Sequence, residues 1–170
     1  FENLTKENIY VLDSPILTNS QLKKFKKMFS KKIKIIDCTF HIKDNLKNRL
    51  EQIKEETEIA VRGGANHLIL SDQNISNERA SVPMILATGA VHSNLVNLCL
   101  RGYASINVQT ADAMDTHSFA VLIGVGATTI NPYMAIDSIG QRYEKKLFGS
   151  LDFESCIERF KKSVNAGLLK

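Results

Sequence analysis

The stretch ASINVQTADAMDTHSFAVLIGVGATTINPY, Ala104 to Tyr133, decides the fold. Ala104 to Thr110 reads as a strand, Asp112 to about Ile123 as a helix, and Val125 to Ile130 as a second strand. Asn131-Pro132 then supplies a cap followed by proline at the first helical position, opening a helix through Met134, Ile136 and Ile139. Two strands joined through a helix lie parallel, with a right-handed crossover. Gly124-Val125-Gly126 resembles a dinucleotide signature only superficially. The phosphate fingerprint follows a strand and opens a helix, whereas these glycines precede a strand and lack a third. They end the helix instead.

The same alternation extends toward the N-terminus. Ser81 caps a helix with Pro83 in its first turn, running to about Leu100 before Gly102. It is apolar nearly all round, as for a helix sandwiched between other elements. His67 to Leu70 is a short buried strand ending in Ser71-Asp72. Asp44 caps a helix with Leu46, Leu50, Ile53, Thr57 and Val61 on one stripe, stopped by Gly63-Gly64. Ile33 to Phe40 is a β-branched, apolar strand. Leu22, Phe25 and Phe29 recur at helical spacing, and Ser14 to Leu17 is extended because Pro15 disfavours helix before it. A last amphipathic helix spans about Asp152 to Asn165. Four strands, with the Pro15 segment as a fifth candidate, make half of an eight-stranded barrel or a small open sheet. The expectation is one α/β domain over residues 1–170: a partial (β/α) barrel with parallel strands and crossover helices.

The 170 residues are 44% hydrophobic and 24% charged, which excludes a disordered tail. No apolar run approaches the roughly 20 residues that a membrane helix needs. Residues 1–62 hold 13 basic and 9 acidic groups, residues 63–140 hold 2 and 5, and residues 141–170 hold 7 and 4. The Gly- and motif-rich middle is therefore the acidic part, against the pattern of a nucleic-acid protein. Seven lysines between Lys23 and Lys34 form the strongest charge cluster, read as a solvated face because Phe25 and Phe29 sit on the apolar stripe. Cys38, Cys99 and Cys156 are odd in number and far apart, which points to reduced thiols in a cytoplasmic protein. The chain starts at Phe1 rather than Met, which suits a processed protein or a piece excised from a longer one, the second being the favoured reading.

Parallel β/α folds place ligands at the C-terminal ends of strands. The residues there are Asp37, Thr39 and His41; Ser71 and Asp72; Gln109 and Thr110; and Asn131. They supply the groups that acid–base work needs, but turn and cap chemistry uses the same residue types and is the favoured reading. His92 and Cys99 share a helix face without making a metal site, and His117 near Asp115 makes no better one. Each histidine is expected to be buried and bonded to backbone.

Four pieces of the sequence resemble the central domain of the glutamate synthase large subunit. They are Ser14-Pro15-Ile16-Leu17; Leu68-Ile69-Leu70-Ser71-Asp72; Val82-Pro83 through Gly89-Ala90-Val91-His92; and Phe119 through Ala127 followed by Ile130-Asn131-Pro132-Tyr133. The closing Ala166-Gly167-Leu168-Leu169-Lys170 resembles the junction with the family's flavin-binding synthase domain. The family's additional histidines are replaced by Ser93, Asn94 and Ser118. Its arginine-rich patch after Arg101 is replaced by Gly102-Tyr103, and an acidic–basic pair by Met114-Asp115. These changes bear on contacts with neighbouring domains, not on the fold.

The resemblance implies a parent oxidoreductase of nitrogen assimilation and glutamate biosynthesis, making two glutamates from glutamine and 2-oxoglutarate. An amidotransferase domain releases ammonia, and a TIM-barrel synthase domain with FMN and an iron–sulfur cluster uses it, with NADPH or ferredoxin as electron donor. The central domain connects the two, lines part of the ammonia tunnel, and is related to the FMN-linked barrels without binding the cofactor. It implies no catalytic, cofactor or metal residue here, with Asp72, His92, Thr110, His117 and Asn131 as tunnel or domain-interface positions. The flanking domains are the implied partners, with no nucleic acid and no membrane. Two rival readings are a small flavin- or phosphate-binding enzyme using the strand-end residues, and a lysine-rich module for anionic surfaces.

Overall fold

The computed structural model describes residues 10–170. Four parallel strands, β1 (Ile33–Asp37), β3 (His67–Ser71), β5 (Ser105–Gln109) and β6 (Thr129–Asn131), form one sheet in the order β1-β3-β5-β6. Ile16 bridges Ile130 in parallel, so the Ser14–Leu17 segment continues the sheet beyond β6. The strands follow chain order in one direction, and right-handed crossovers then place their helices on one side. Those helices are α2 (Leu46–Arg62), α3 (Met84–Asn97) and α4 (Thr116–Gly124), with α3 packed on both others. This four-strand winding is compatible with a partial barrel, although the Ser14–Leu17 segment, first in the chain, lies beyond β6 and leads into α1 on the opposite face of the sheet.

Alternation along each strand separates two cores. Ile36, Leu68, Leu70, Ile106, Val108 and Ile130 face the crossover helices, where Ile53, Met84, Val91, Leu95 and Phe119 complete the packing. Ile69 points the other way, against Leu22 and Phe25 of α1 (Asn19–Met28). Burial on both faces is why β3 reads as a continuous apolar run. Helix α1 starts at a capping box in which Thr18 accepts from the Gln21 N–H and Gln21 accepts from the Thr18 N–H. Helices α5 (Tyr133–Glu144) and α6 (Phe153–Leu168) follow β6, and α6 is capped by Asp152.

Several expected boundaries move. The strand expected over Ile33–Phe40 breaks at Cys38, because Asp37 Oδ1 accepts from both the N–H (2.9 Å) and the hydroxyl (2.8 Å) of Thr39. The chain then leaves the sheet as β2 (Thr39–His41), antiparallel to β4 (Arg79–Ser81). Asn45, not Asp44, caps α2 by accepting from the Lys47 N–H. Ser81 belongs to β4, and α3 ends at Asn97, short of Leu100, with Cys99 left-handed at φ 56°. Helix α4 begins at Thr116 with Asp115 as its cap, not at Asp112. Only Thr129–Asn131 of the strand expected from Val125 joins the sheet, and Pro132 rather than Asn131 occupies the cap of α5. Helix α3 is not sandwiched all round: Ile85, Leu86 and Val96 are exposed.

Candidate functional site at the C-terminal sheet edge

The last residues of the four strands stand in one register row, Asp37–Ser71–Gln109–Asn131. Ile69 lies two residues before Ser71, so the row points to the face that α1 covers. Gln109 Oε1 accepts from Lys26 Nζ at 3.0 Å and from Ser71 Oγ at 3.4 Å. Asn131 Nδ2 donates to Leu17 O (2.8 Å) and Asn19 Oδ1 (2.9 Å), while its Oδ1 is buried without a partner. Lys26, a member of the lysine cluster, thus turns inward, and burial pulls its pKa below the ordinary lysine value. Burial pushes the Asp37 carboxyl up, but hydrogen bonds from Asn74 and Thr39 and the Arg79 guanidinium together hold it below the usual carboxylate range.

A second polar group lies behind this row. Asp72 is fully buried; its Oδ2 accepts from Thr110 Oγ1 (2.8 Å) and the Ala111 N–H (2.9 Å), and its Oδ1 makes no hydrogen bond. Burial pushes the carboxyl up; Ala111, Thr110 and the Tyr133 hydroxyl offset part of that. Tyr133 is itself pushed up by burial and by the charge of Asp72. Thr110 Oγ1 accepts from the Asp112 N–H, and Asp112 Oδ2 accepts from the Met84 N–H at 3.3 Å. The cluster ties the ends of β3 and β5 to the start of α3. Thr110 and Asp72 form a hydroxyl–carboxylate pair, but both are 0% exposed, so no reacting atom reaches them. The pair braces the ends of β3 and β5.

Of the five positions implied as tunnel or interface residues, Asp72 and Thr110 touch, and Asn131 shares their edge of the sheet. His92 is at the other end. Its Nδ1 accepts from Arg101 Nε (3.1 Å), and Arg101 also donates to Ala104 O and Gly126 O, just before β5 and β6. His117 is exposed in the first turn of α4. Neither histidine is buried and bonded to backbone as expected. His92 does not share a helix face with Cys99, because α3 ends between them. Among the described residues no three His, Cys, Asp or Glu side chains are grouped to hold a metal. Cys38 is a poor thiolate ligand, since burial pushes its thiol up to about 12. Sequence reasoning missed Arg79 and the inward turn of Lys26, whose partners are far away along the chain.

The geometry is that of a braced polar sheet edge on a parallel β/α scaffold. The sequence model of the family described as the glutamate synthase central domain matches residues 2–170. The chain belongs to that family. The glutamate synthase [NADPH] large chain of Azospirillum brasilense is 44% identical over 172 residues, covering 99% of this chain and 11% of that protein. The ferredoxin-dependent glutamate synthase of Pyropia yezoensis is 35% identical over 175 residues, covering 94% of this chain and 11% of its own length. The glutamate synthase [NADPH] large chain of Bacillus subtilis (strain 168) is 32% identical over 161 residues, covering 94% and 10%. This glutamate synthase central domain therefore spans about a tenth of the relatives it matches. No helix among its described residues is long and apolar enough to cross a membrane.

Proposed function

We propose that this chain is the connecting domain of a cytoplasmic glutamate synthase large subunit. It holds an amidotransferase domain and an FMN synthase domain in register and lines the passage of ammonia between them, with no turnover of its own. The whole protein then converts glutamine, 2-oxoglutarate and two electrons into two glutamates. The electrons come from NADPH or ferredoxin, the two donors that the relatives' names carry. FMN and the iron–sulfur cluster belong to the synthase domain, and this domain is a relative of the FMN-linked barrels without their cofactor, a reading with which the four-strand parallel winding is compatible.

The observation that carries this reading is the Asp37–Ser71–Gln109–Asn131 row. It is polar where a β/α fold places its chemistry, yet its side chains are tied to structural partners: Gln109 to Ser71 and Lys26, Asn131 to Leu17 and Asn19, and Asp37 to Thr39, Asn74 and Arg79. Such a wall can pass a small hydrogen-bonding molecule and exclude bulk water. In the complete protein, Ser71→Leu narrows the row while Ser71→Ala leaves it open. The expected result for Ser71→Leu is continued glutamine hydrolysis with glutamate formed per glutamine falling from two toward one, and free ammonia appearing. A ratio that stays at two in Ser71→Leu removes the row from the ammonia route.

A further inference from the structure

A cavity of about 430 Å³ opens between the β2–β4 ribbon and the first turns of α2, next to the Asp37 end of the strand-end row. That volume is within the range of small-molecule sites. Its walls are almost wholly polar and carry two arginines, Arg49 and Arg79, with His41, Asn48 and Gln52. Asp44 is the one carboxylate among its described lining residues.

Both arginines are held in place by partial pairing. Arg79 donates through Nε to Thr39 Oγ1 (2.9 Å) and through Nη2 to Asp37 Oδ2 and Thr39 O (both 3.1 Å), which leaves Nη1 without a described partner. Arg49 donates through Nη1 to Glu56 and Gln52 and through Nη2 to Asp37 O, spanning from α2 to the end of β1. Guanidinium groups fixed in this way lose little freedom on meeting a ligand, and their planar fork suits oxyanions. The end of α2 adds to the same field. This 17-residue helix has no acidic residue in its first turn, and Asp44, just ahead of the Asn45 cap, is the carboxylate that stands on that side of the cavity.

We propose that this cavity is a binding site for a small doubly charged oxyanion, a phosphate group or a dicarboxylate, held between Arg49 and Arg79 with the first turn of α2 beneath it. It goes beyond the connecting role: Ser71, Gln109 and Asn131 take no part, and Asp37 alone is shared, orienting both arginines.

The test is amide hydrogen exchange, peptide by peptide, on the full-length protein with inorganic phosphate, malonate or chloride at about 10 mM, a level that saturates a millimolar site. Expected is protection of peptides covering 39–52 and 79–81 by phosphate or by malonate, and none by chloride. Phosphate alone identifies a phosphate ligand, and malonate alone a dicarboxylate. Asn48→Asp puts a carboxylate on the cavity wall from an exposed position where the helix end welcomes it, so the fold is kept. It should weaken the protective anion at least about tenfold, as should Arg49→Gln, while Arg62→Gln at the far end of α2 changes nothing. Absence of protection by both dianions, or protection that survives Asn48→Asp, overturns the proposal.

Discussion

Gly126 and the His92 ring occupy positions that exclude a β-carbon between them. Gly126 adopts φ +112°, and a β-carbon built on it overlaps the imidazole and lies 2.8 Å from His92 Cβ. Arg101 locks the pair by donating to His92 Nδ1 and to Gly126 O. Gly126→Ala therefore meets a backbone penalty and a packing clash together, each costing about 1–3 kcal/mol. The expected loss is at least about 2 kcal/mol, measured as a lowered denaturation midpoint with an unchanged denaturant slope. Gly102→Ala, where a β-carbon meets nothing, is the control and should leave the midpoint nearly unmoved.

Asp72 gives a pH dependence of known sign. Its carboxyl is raised by burial in the folded state, so the folded protein binds that proton more tightly than the unfolded chain does. The cost of ionising it is fully present above the folded pKa and disappears as pH falls to the ordinary aspartate value of about 3.9. Asp72→Asn has no such group. Wild type should therefore gain stability relative to Asp72→Asn as pH is lowered from 7 toward about 4. Urea unfolding of the two proteins across that range checks it. A gap that moves the opposite way refutes the burial argument.

The parts legible in the sequence are those fixed locally. β3 shows as an apolar run because both of its faces are covered, and α6 shows because Asp152 and its amphipathic stripe coincide. The break at Cys38 is hidden inside an unbroken β-favouring stretch, since the Asp37 side chain alone turns the backbone. The helical pattern of α3 continues past Asn97, but the left-handed conformation of Cys99 leaves no glycine to announce it. The strand-end residues were legible as a set, whereas their alignment in one row was not, because register is decided by the partner strand. In the sequence Arg79 and Lys26 count only as charge. Their partners Asp37 and Gln109 lie 42 and 83 residues away in the chain.

Phe25 fastens α1 across the sheet face that the crossover helices leave open. It is 5% exposed, and its ring meets Phe29 at 5.1 Å and His67 at 4.9 Å between centroids. Phe25→Ala should cost about 3–5 kcal/mol. The loss has a local signature as well, because Lys26 is held against Gln109 only while α1 is seated. Freed from burial, Lys26 should return toward the ordinary lysine pKa. The NMR titration of the Lys26 side chain should then move upward from its wild-type position, a readout that greater solvent access to the amine does not confound. A Lys26 titration unchanged in Phe25→Ala would show that α1 does not set its environment.

Asp37 joins the sheet edge to the ribbon, and its titration runs opposite to that of Asp72. It accepts from Thr39 twice, from Asn74 and from Arg79, and its folded pKa is lowered despite the burial that opposes this. Its contribution is therefore present above the unfolded value of about 3.9 and is lost as pH falls through the lower folded value. Asp37→Asn keeps the shape but offers one acceptor oxygen and no charge to Arg79. It should destabilise the protein at pH 7 by about 1.5–3 kcal/mol, the range for a hydrogen bond to a charged group. The gap to wild type should then narrow once pH falls below the unfolded value of about 3.9 and go on closing through the lower folded value. Paired unfolding curves at pH 7 and pH 3 decide it. A deficit that persists unchanged at pH 3 would assign the effect to shape rather than to the carboxylate.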